Sequence, residues 1–539
     1  MFFNWRLLTI SGIILIAFLA VIFKLISLKL ISGDFLENEG NKRYVKYKNI
    51  ESLRGSIFDR NNFPLAVSIA NYDVYALKGF KKSDLLKLAE NIEFDDFKIN
   101  EEFIVKTLIK KNVSIEKIKE IKKLNFRNFE IELRYSRHYP LGDQIAPLIG
   151  FYGTDGAQEG IEKSYDRVLS GISGKKKYYR NAKQEIFSKP IDVSEVVQGE
   201  DIHLTIDSTI QFFTYKYLVE GIKKNKAKSG SAIVLDNSSG EILAIASYPS
   251  YNPNHPQRKI QKNRALVESY EIGSVLKPIM IAMALEKEII NPKELIKIPR
   301  RLDLENKIIV DSYYHNELSP QDIIAFSSQV GASKIAINLG YENLKRSYYN
   351  FGLTKPISIN FPSSSFGYMD VKNQVSKQEL ASLGYGYGIT VSPFQIASAY
   401  SIFANKGIKK DFILIKDNPI NHEKAISEDT AKFIMDSLEK VVSNGTGQNA
   451  EVDGYSEGGK TGTVHKITNG TYAEDSYRAS FIGISPLATK SLTIFVSIDE
   501  PGLNSYSGGA VAAPVFAKIA QSSLNYLGYF EDEWIWEHI

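Results

Sequence analysis

The chain of 539 residues is long enough for two or more domains with a sizeable hydrophobic core. Its 66 Lys and Arg residues and 62 Asp and Glu residues give a formal net charge of +4 at pH 7, an excess too small to indicate a nucleic-acid partner. Cysteine is absent and the seven histidines are scattered, which excludes a disulfide framework, a thiol nucleophile and a cysteine-ligated zinc site. We therefore predict neither a metal site nor a cofactor.

The first element in chain order is a hydrophobic segment at the N-terminus. Leu7–Phe23 is charge-free and mostly apolar, and a helix over residues 7–31 is long enough to cross a bilayer, with the amines of Lys24 and Lys29 reaching its surface. A cleaved signal peptide is the alternative, but the segment lacks an Ala-X-Ala site and exceeds the usual signal-peptide core. The sequence predicts a retained transmembrane helix after a short cytoplasmic tail, residues 1–6. Flanking charges nearly balance and do not set its orientation.

The region that follows has a mixed pattern. Residues 45–75 indicate extended segments and turns, residues 80–125 indicate short helices, and residues 130–200 return to mixed structure with glycine-rich turns. Ser114–Leu124 combines an N-cap serine, an apolar stripe and terminal lysines, which predicts a packed amphipathic helix. We find no set of catalytic residues in this region.

From about residue 200 onward the pattern indicates an antiparallel sheet with helices packed against it, an α+β architecture. The predicted elements are the hairpin strands Ser231–Asp236 and Glu241–Ala246, the later strands Ala479–Ile484 and Leu492–Ile498, and helices over residues 274–286 and 320–340.

A serine and a lysine at the start of the predicted helix 274–286 are spaced for proton transfer. Ser274 and Lys277 are three residues apart, which places the hydroxyl and the amine on one helix face. Ser274 also lies at the helix N-terminus, where backbone N–H groups favour developing negative charge. A lysine acts as the base only when burial or a second cation lowers its pKa. For this pair alone, an N-cap serine followed by a surface lysine is the alternative.

Two later segments complete the pattern of an acyl-transfer site without histidine. Ser327-Ser328-Gln329 supplies a second serine, and Lys460-Thr461-Gly462-Thr463 supplies a second cation. We predict that the latter is an edge strand in which Gly462 lets a substrate backbone approach and Lys460 and Thr461 bind a carboxylate. The N–H of Thr463, with that of the nucleophilic serine, is suited to an oxyanion hole. Because the segments occur far apart, they must converge in a folded domain.

A nucleotide-binding pattern overlaps the last segment. Gly454–Thr461 fits the P-loop pattern G-x-x-x-x-G-K-[ST], which requires an apolar strand before it and a helix after it. Gln448–Asp453 is mostly polar, and Gly462–Thr471 is unsuited to starting a helix. We therefore predict no nucleotide partner.

Together, the three segments resemble those of penicillin-binding proteins and serine β-lactamases. The surrounding sequence resembles the class B penicillin-binding proteins over about residues 45–525. Gly384–Gly388 and Gly508–Phe516 favour the cell-division branch over the cell-elongation branch. The middle segment departs from the family pattern S-x-N, because Gln329 stands in place of asparagine. The other similar segments are Arg54–Asn61 with Leu65-Ala66, Arg137–Gly142, Gly160–Asp166, Leu204–Asp207, Tyr248–Asn254 and Asn263–Ala265.

The resemblance implies a transmembrane helix, an elongated α+β pedestal of the dimerisation type over residues 45–195, and a transpeptidase domain over residues 200–530. It implies that Ser274 attacks the penultimate D-Ala of a peptidoglycan stem peptide, that an amine of a neighbouring stem peptide resolves the acyl-enzyme, and that β-lactam antibiotics trap the same serine. Ser327 would relay protons between Lys277, Lys460 and the leaving amine. Gln329 would take over the hydrogen bonds that the family asparagine makes to the lysine and the substrate amide.

The resemblance also implies a location and partners. The protein would cross the bacterial inner membrane once, with the catalytic domain in the periplasm, next to a polymerising glycosyltransferase and other division proteins. A cell-elongation transpeptidase of the same class, a β-lactamase, and a catalytically weakened β-lactam-binding or sensor protein stay open as alternatives.

Overall fold

The chain divides into two compact units, residues 1–55 with 170–200, and residues 56–169 with 201–539. Residues 1–4 of the predicted cytoplasmic tail and residue 31 of the predicted transmembrane helix lie outside the described residues. The computed structural model describes residues 5–30, 33–90, 92, 103–153, 155–181, 186–255, 261–304, 307–370, 374–468, 470–502 and 505–529.

The first unit begins with the hydrophobic helix α1, Trp5–Leu30. At about 1.5 Å per residue its 26 residues extend about 39 Å, and none of its side chains is buried. Within the described residues it is the one helix long and apolar enough to cross a membrane. The unit continues with the helix Gly33–Tyr44 and a three-stranded antiparallel sheet in the order Val45–Ile50, Gly174–Tyr179, Ile191–Ser194.

The second unit begins with a sheet that contains a strand missed by sequence reasoning. Residues 80–125 were expected to carry short helices, and they also contain the strand Thr107–Val113, which pairs with Pro64–Ala76. The predicted amphipathic helix is confirmed as Ile115–Lys123, capped by the Ser114 side chain. The other elements here are the helix Lys82–Ala89 and the strands Ile57–Phe58, Phe129–His138 and Ile202–His203.

A buried ion pair joins two of the family-like segments in this part of the unit. Arg137 Nε donates to Glu162 Oε1 at 2.7 Å, and the Tyr139 hydroxyl donates to the same oxygen at 3.3 Å. Asn254 exchanges two hydrogen bonds, of 2.9 and 3.0 Å, with the Tyr139 backbone. These segments therefore have a structural role, and they link the N-terminal part of the unit to the chain before the nucleophile.

The main sheet has five antiparallel strands, which confirms the predicted α+β fold. Their spatial order is β2-β1-β5-β4-β3, so β3, which carries the Lys-Thr-Gly segment, is an edge strand as predicted. The predicted hairpin and both later strands belong to this sheet. The strands are β1 Ser229–Asp236, β2 Glu241–Tyr248, β3 Gly458–Thr468, β4 Thr471–Ser485 and β5 Leu492–Asp499.

The sheet separates two hydrophobic cores, because successive residues of a strand point to opposite faces. Ile233 and Leu235 of β1 lie in the larger core, whereas Ala232 and Val234 lie in the smaller one. The smaller core contains α2 Ser208–Lys224 and α8 Ala513–Leu527, and the larger core contains α3 Lys277–Glu286, α4 Pro320–Ala325, α5 Gln329–Leu339, α6 Pro393–Ala404 and α7 Glu428–Ser443.

Both predicted helices near the site differ from the expectation. The segment 274–286 begins as a 3-10 turn, Gly273–Leu276, before α3 starts at Lys277. The prediction of one continuous helix over 320–340 was wrong, since α4 and α5 are separated at Ser327, whose φ is +59°. A left-handed residue cannot continue a right-handed helix. The next residue, Ser328, starts α5 by accepting a hydrogen bond from Gly331 N at 2.9 Å.

The remaining elements of the second unit are short. The helices are Gly142–Gln144, Ala146–Ile149, Gly160–Ser164, Asp166–Leu169, Arg264–Val267, Tyr341–Asn350, Lys377–Gly384, Gln448–Ala450 and Gly508–Val511. The strands are Tyr152–Gly153, Gly156–Ala157, Tyr270–Glu271, Ile296–Lys297, Leu302–Leu304, Lys307–Ile309, Glu317–Leu318, Tyr368–Met369, Ile389–Val391, Ile408–Lys410 and His422–Lys424.

Candidate active site

The three predicted segments, which are far apart in the sequence, meet beside the edge strand β3. Lys277 is the first residue of α3, Ser327 lies in the break between α4 and α5, and Lys460 lies on β3. The Ser327 hydroxyl lies 3.2 Å from Lys277 Nζ and 3.0 Å from Lys460 Nζ. One serine hydroxyl therefore bridges two lysine amines.

The predicted nucleophile Ser274 lies in the 3-10 turn that leads into α3, and it is partly exposed. In the part of the chain that the structure describes, its hydroxyl makes no hydrogen bond. Lys277 Nζ donates instead to the backbone oxygen of Ser327 at 2.5 Å. The serine and the lysine thus lie three residues apart at the start of one helical segment, without the direct hydrogen bond between them. Catalytic hydrogen bonds often tighten only when substrate binds.

Both lysines are buried, each with 0% of its surface exposed. Burial lowers the pKa of Lys277 to about 7, against the negative charge of Asp311, which raises it. Burial also lowers the pKa of Lys460 well below its usual value, and the positive charge of Lys277 lowers it further. Because two ammonium groups on one hydroxyl repel each other, the lysine pair favours a state with one proton over a state with two.

Ser327 occupies its bridging position in a strained backbone conformation. Its φ of +59° lies in the left-handed region, which costs a serine about 1 to 3 kcal/mol. Two backbone hydrogen bonds hold this conformation. Ser327 N–H donates to Ile324 O at 3.2 Å, and Ser328 N–H donates to Ile323 O at 3.1 Å. Strain at a residue that joins two ionisable groups is typical of a functional site.

Gln329 is the first residue of α5, and its side chain is exposed. Its backbone N–H donates to Asp311 Oδ1 at 2.6 Å, but within the described residues its side-chain amide makes no hydrogen bond. The structure therefore places Gln329 next to the site without bringing its amide to either lysine. Sequence reasoning missed Asp311, since an isolated acid carries no local signal.

The Thr461 hydroxyl lies between Lys460 and a second threonine that sequence reasoning also missed. Thr461 Oγ1 is 3.4 Å from Lys460 Nζ and 2.8 Å from Thr446 Oγ1. Thr446 belongs to the turn Asn444–Gly447 after α7, and the only signal for it is this glycine-rich turn upstream of β3. The pair orients the Thr461 hydroxyl beside the buried amine.

Gly462 gives space to the turn that carries the nucleophile. A Cβ at position 462 would lie 2.7 Å from Val275 Cγ2, too close for a carbon–carbon contact. The approach of a substrate to this glycine stays a prediction, and the structure adds that Val275 and Ser480 lie where a side chain at this position would be. The glycine lets β3 pack directly against the turn after Ser274.

The neighbouring glycine-rich segments pack on the same turn. Gly273, with φ +64°, donates its N–H to Gly386 O at 3.1 Å. A Cβ at position 273 would lie 3.5 Å from Thr463 O, so Thr463 runs alongside the nucleophile's turn, as an oxyanion pair with Ser274 requires. Gly508 N–H donates to Thr463 Oγ1 at 3.0 Å, which ties the later glycine-rich segment to β3.

The arrangement combines a partly exposed hydroxyl, two buried amines with lowered pKa values and a bridging hydroxyl that can pass protons between them. These are the parts required for acyl transfer by a serine with lysine as the base. Among the described residues, no group of three or more His, Cys, Asp or Glu side chains could hold a metal ion.

Comparisons with known proteins agree with this chemistry. The sequence model of the penicillin binding protein transpeptidase domain matches residues 230–521, and that of the penicillin-binding protein dimerisation domain matches residues 49–204. The chain is 32% identical to the peptidoglycan D,D-transpeptidase FtsI of Buchnera aphidicola subsp. Schizaphis graminum, over 96% of this chain and 94% of that protein. It is 31% identical to the peptidoglycan D,D-transpeptidase FtsI of Escherichia coli K12, over 96% and 91% respectively. Penicillin binding protein 3 of Mycobacterium tuberculosis, solved with aztreonam, aligns with a TM-score of 0.68 and 25% identity, covering 90% of this chain and 98% of that one.

Proposed function

The chain belongs to the penicillin-binding protein family, and we propose that it cross-links peptidoglycan stem peptides through an acyl-enzyme on Ser274 during formation of the division septum. The family and the relatives identify it as a serine-type peptidoglycan D,D-transpeptidase. The finer proposal rests on one observation. The Ser327 hydroxyl lies 3.2 and 3.0 Å from two buried lysine amines, beside the turn that carries Ser274.

In the first half-reaction, the neutral amine of Lys277 accepts the Ser274 proton as Oγ bonds to the carbonyl carbon of the penultimate D-Ala. Backbone N–H groups of Ser274 and Thr463 bind the oxyanion that develops. The carbon–nitrogen bond then breaks, and the terminal D-Ala leaves with its amine protonated by the proton that Lys277 held. Ser327 passes this proton, because its hydroxyl is within hydrogen-bond distance of both amines.

In the second half-reaction, an amine of a neighbouring stem peptide attacks the carbonyl carbon of the acyl-enzyme. This amine gives up one proton to the lysine pair, the Ser274 ester bond breaks, and Ser274 Oγ recovers a proton from the same pair. One amide bond has been exchanged for another, so the reaction requires no external energy source.

The burial of Lys460 favours a role in proton transfer over the carboxylate binding that the sequence suggested. Burial lowers its pKa well below its usual value, which disfavours the ammonium form that would attract a carboxylate most strongly. We assign the terminal carboxylate to the hydroxyls of Thr461 and Thr463 on the edge strand. The exposed amide of Gln329 is available to hydrogen-bond the substrate backbone, which retains part of the role of the family asparagine.

The transpeptidase proposal is tested with the purified full chain on a stem-peptide substrate, by measuring release of D-Ala and formation of cross-linked product. Ser274→Ala should lose both, whereas Ser358→Ala, a matched change at an exposed serine outside the site, should keep both. Undiminished product from Ser274→Ala would refute the assignment of the nucleophile. We also propose that β-lactams acylate Ser274. Rapid turnover of penicillin, in place of a long-lived adduct, would favour a β-lactamase.

The septal role is supported by the relatives named FtsI, and the membrane anchor is supported by the apolar helix α1. We propose that α1 anchors the chain in the inner membrane, that the catalytic domain lies in the periplasm, and that a polymerising glycosyltransferase and other division proteins are its partners. A fluorescent fusion should collect at midcell during division, and a label restricted to the side wall would favour the elongation role. A protease added to the periplasmic side should digest the catalytic domain, and protection there would refute the orientation.

A further inference from the structure

Asp311 lies outside the three predicted segments, yet both of its carboxylate oxygens contact the middle one. The residue follows the short strand Lys307–Ile309. Ser328 Oγ donates to its Oδ2 at 2.6 Å, and the N–H groups of Gln329 and Val330 donate to its Oδ1 at 2.6 and 3.0 Å. A residue 17 positions before Ser328 thus accepts three hydrogen bonds at the start of α5.

These contacts fix the backbone immediately after Ser327. The first N–H groups of a helix have no partner within the helix, and Asp311 supplies one for two of them. Ser328 Oγ also accepts from Gly331 N at 2.9 Å, so one hydroxyl links the carboxylate to the helix end. The left-handed backbone conformation of Ser327 is strained, and the hydrogen bonds on the adjoining residues prevent it from relaxing. They thereby keep the Ser327 hydroxyl next to the two lysine amines.

The carboxylate also acts electrostatically on the base. Burial lowers the pKa of Lys277, and the charge of Asp311 raises it. On β3, the facing ionisable group is Lys460, and the positive charge of Lys277 lowers the pKa of that lysine. On α3 itself the other ionisable side chain is Glu286 at the far end of the helix, where it accepts from the Ser427 hydroxyl at 2.5 Å. Asp311 is therefore the negative group that favours the charged form of Lys277.

We propose that Asp311 is a positioning residue of the acyl transfer. Its carboxylate fixes the turn that keeps Ser327 between the two buried lysines, and its negative charge stabilises the protonated form of Lys277. This inference rests on the roles given to Ser274, Lys277 and Ser327 in the proposed function. Asp311 contacts no substrate in this scheme, so its loss should slow acylation while leaving the affinity for the first, non-covalent complex nearly unchanged.

The test uses Asp311→Asn in the full chain. Asparagine has nearly the same shape and keeps one oxygen for the two backbone N–H groups, but it removes the charge and the acceptor for Ser328. We expect the acylation rate constant with a fluorescent penicillin to fall about tenfold or more, with little change in the half-saturating concentration. The neutral amine of Lys277 is the reactive form, and removal of the negative charge lowers its pKa. The rising limb of the pH–rate profile should therefore move to lower pH.

Two control variants and the choice of readout separate the possible causes. Asp303→Asn changes an exposed aspartate on the neighbouring strand Leu302–Leu304 and should match the wild type in rate and pH profile. Asp311→Glu retains the negative charge but places it on a longer side chain, so it should slow acylation. It should move the rising limb of the pH–rate profile less than Asp311→Asn does. The position of the limb does not depend on the fraction of folded enzyme, so partial unfolding of a variant does not imitate the expected shift.

The two proposals fail in different ways. If Asp311→Asn acylates at the wild-type rate, or if its pH limb stays in place, the inference about Asp311 is overturned. If the wild type itself is not acylated, or if Ser274→Ala is acylated equally well, the proposed function fails instead.

Discussion

Substitution of Ser327 separates its chemical role from its backbone strain. Ser327→Ala removes the hydroxyl but keeps a side chain in the left-handed conformation at φ +59°, whereas Ser327→Gly removes both the hydroxyl and the strain. Both variants lose the group that lies 3.2 and 3.0 Å from the two lysine amines. A positioned proton-transfer group contributes about 100- to 10,000-fold, so both should acylate more slowly by a factor in this range.

The two variants should differ in stability. The left-handed region disfavours alanine by about 1 to 2 kcal/mol. The larger unfolded-state entropy of glycine offsets about 0.5 to 1 kcal/mol of that difference. The steric effect is the larger one, and the free energy of unfolding of Ser327→Gly should exceed that of Ser327→Ala by about 0.5 to 1 kcal/mol.

Both quantities are accessible in one preparation of each variant. The acylation rate is measured from the covalent attachment of a fluorescent penicillin. The free energy of unfolding is measured by urea unfolding of the same detergent-solubilised protein. If Ser327→Ala were acylated at the wild-type rate, the role of Ser327 in proton transfer would be refuted. A glycine variant less stable than the alanine variant would refute the strain assigned to Ser327.

Three further predictions concern the base, the packing of β3 and the buried ion pair. The acylation rate of the wild type should rise with pH around the Lys277 pKa of about 7, because only the neutral amine accepts a proton, and a rate that falls over this range would contradict that role. Gly462→Ala should destabilise the fold by about 1 to 3 kcal/mol and slow acylation, because its Cβ would lie 2.7 Å from Val275 Cγ2. An unchanged melting temperature would contradict the close packing of β3 against this turn. Arg137→Met should destabilise the protein by about 3 to 5 kcal/mol in thermal unfolding, because it removes the positive group of a buried ion pair, 2.7 Å from the carboxylate of Glu162, which is 0% exposed. Adding Glu162→Leu should restore part of that loss, and no recovery would argue against the buried charge of Glu162 as the cause.

The sheet and the nucleophile's turn could be predicted because their signals are local. The hairpin β1–β2 has two apolar runs around a turn of Asn, Ser and Gly residues, which fixes both the strands and their antiparallel pairing. Ser274 and Lys277 are close in sequence, so their spacing alone places them at one helix start. The position of Lys460 on an edge strand followed from the polar, turn-rich residues and the two strands that come after it.

The break at Ser327 could not be predicted, because the interactions that produce it come from distant residues. The segments on either side are apolar and compatible with one helix, but two lysines and Asp311 stabilise a left-handed residue between them. The pairing of Thr446 with Thr461 is likewise a contact between segments that the sequence does not connect. The strand Thr107–Val113 was missed because its lysines resembled the solvated face of a helix.

The central claim is that Ser274 is the nucleophile of the acyl transfer. It is tested most directly by mass spectrometry of the protein after reaction with penicillin, with the adduct assigned by peptide mapping. We predict one adduct per chain on the peptide that carries Ser274, and none in Ser274→Ala. An adduct on Ser327, or no adduct at saturating penicillin, would contradict the claim.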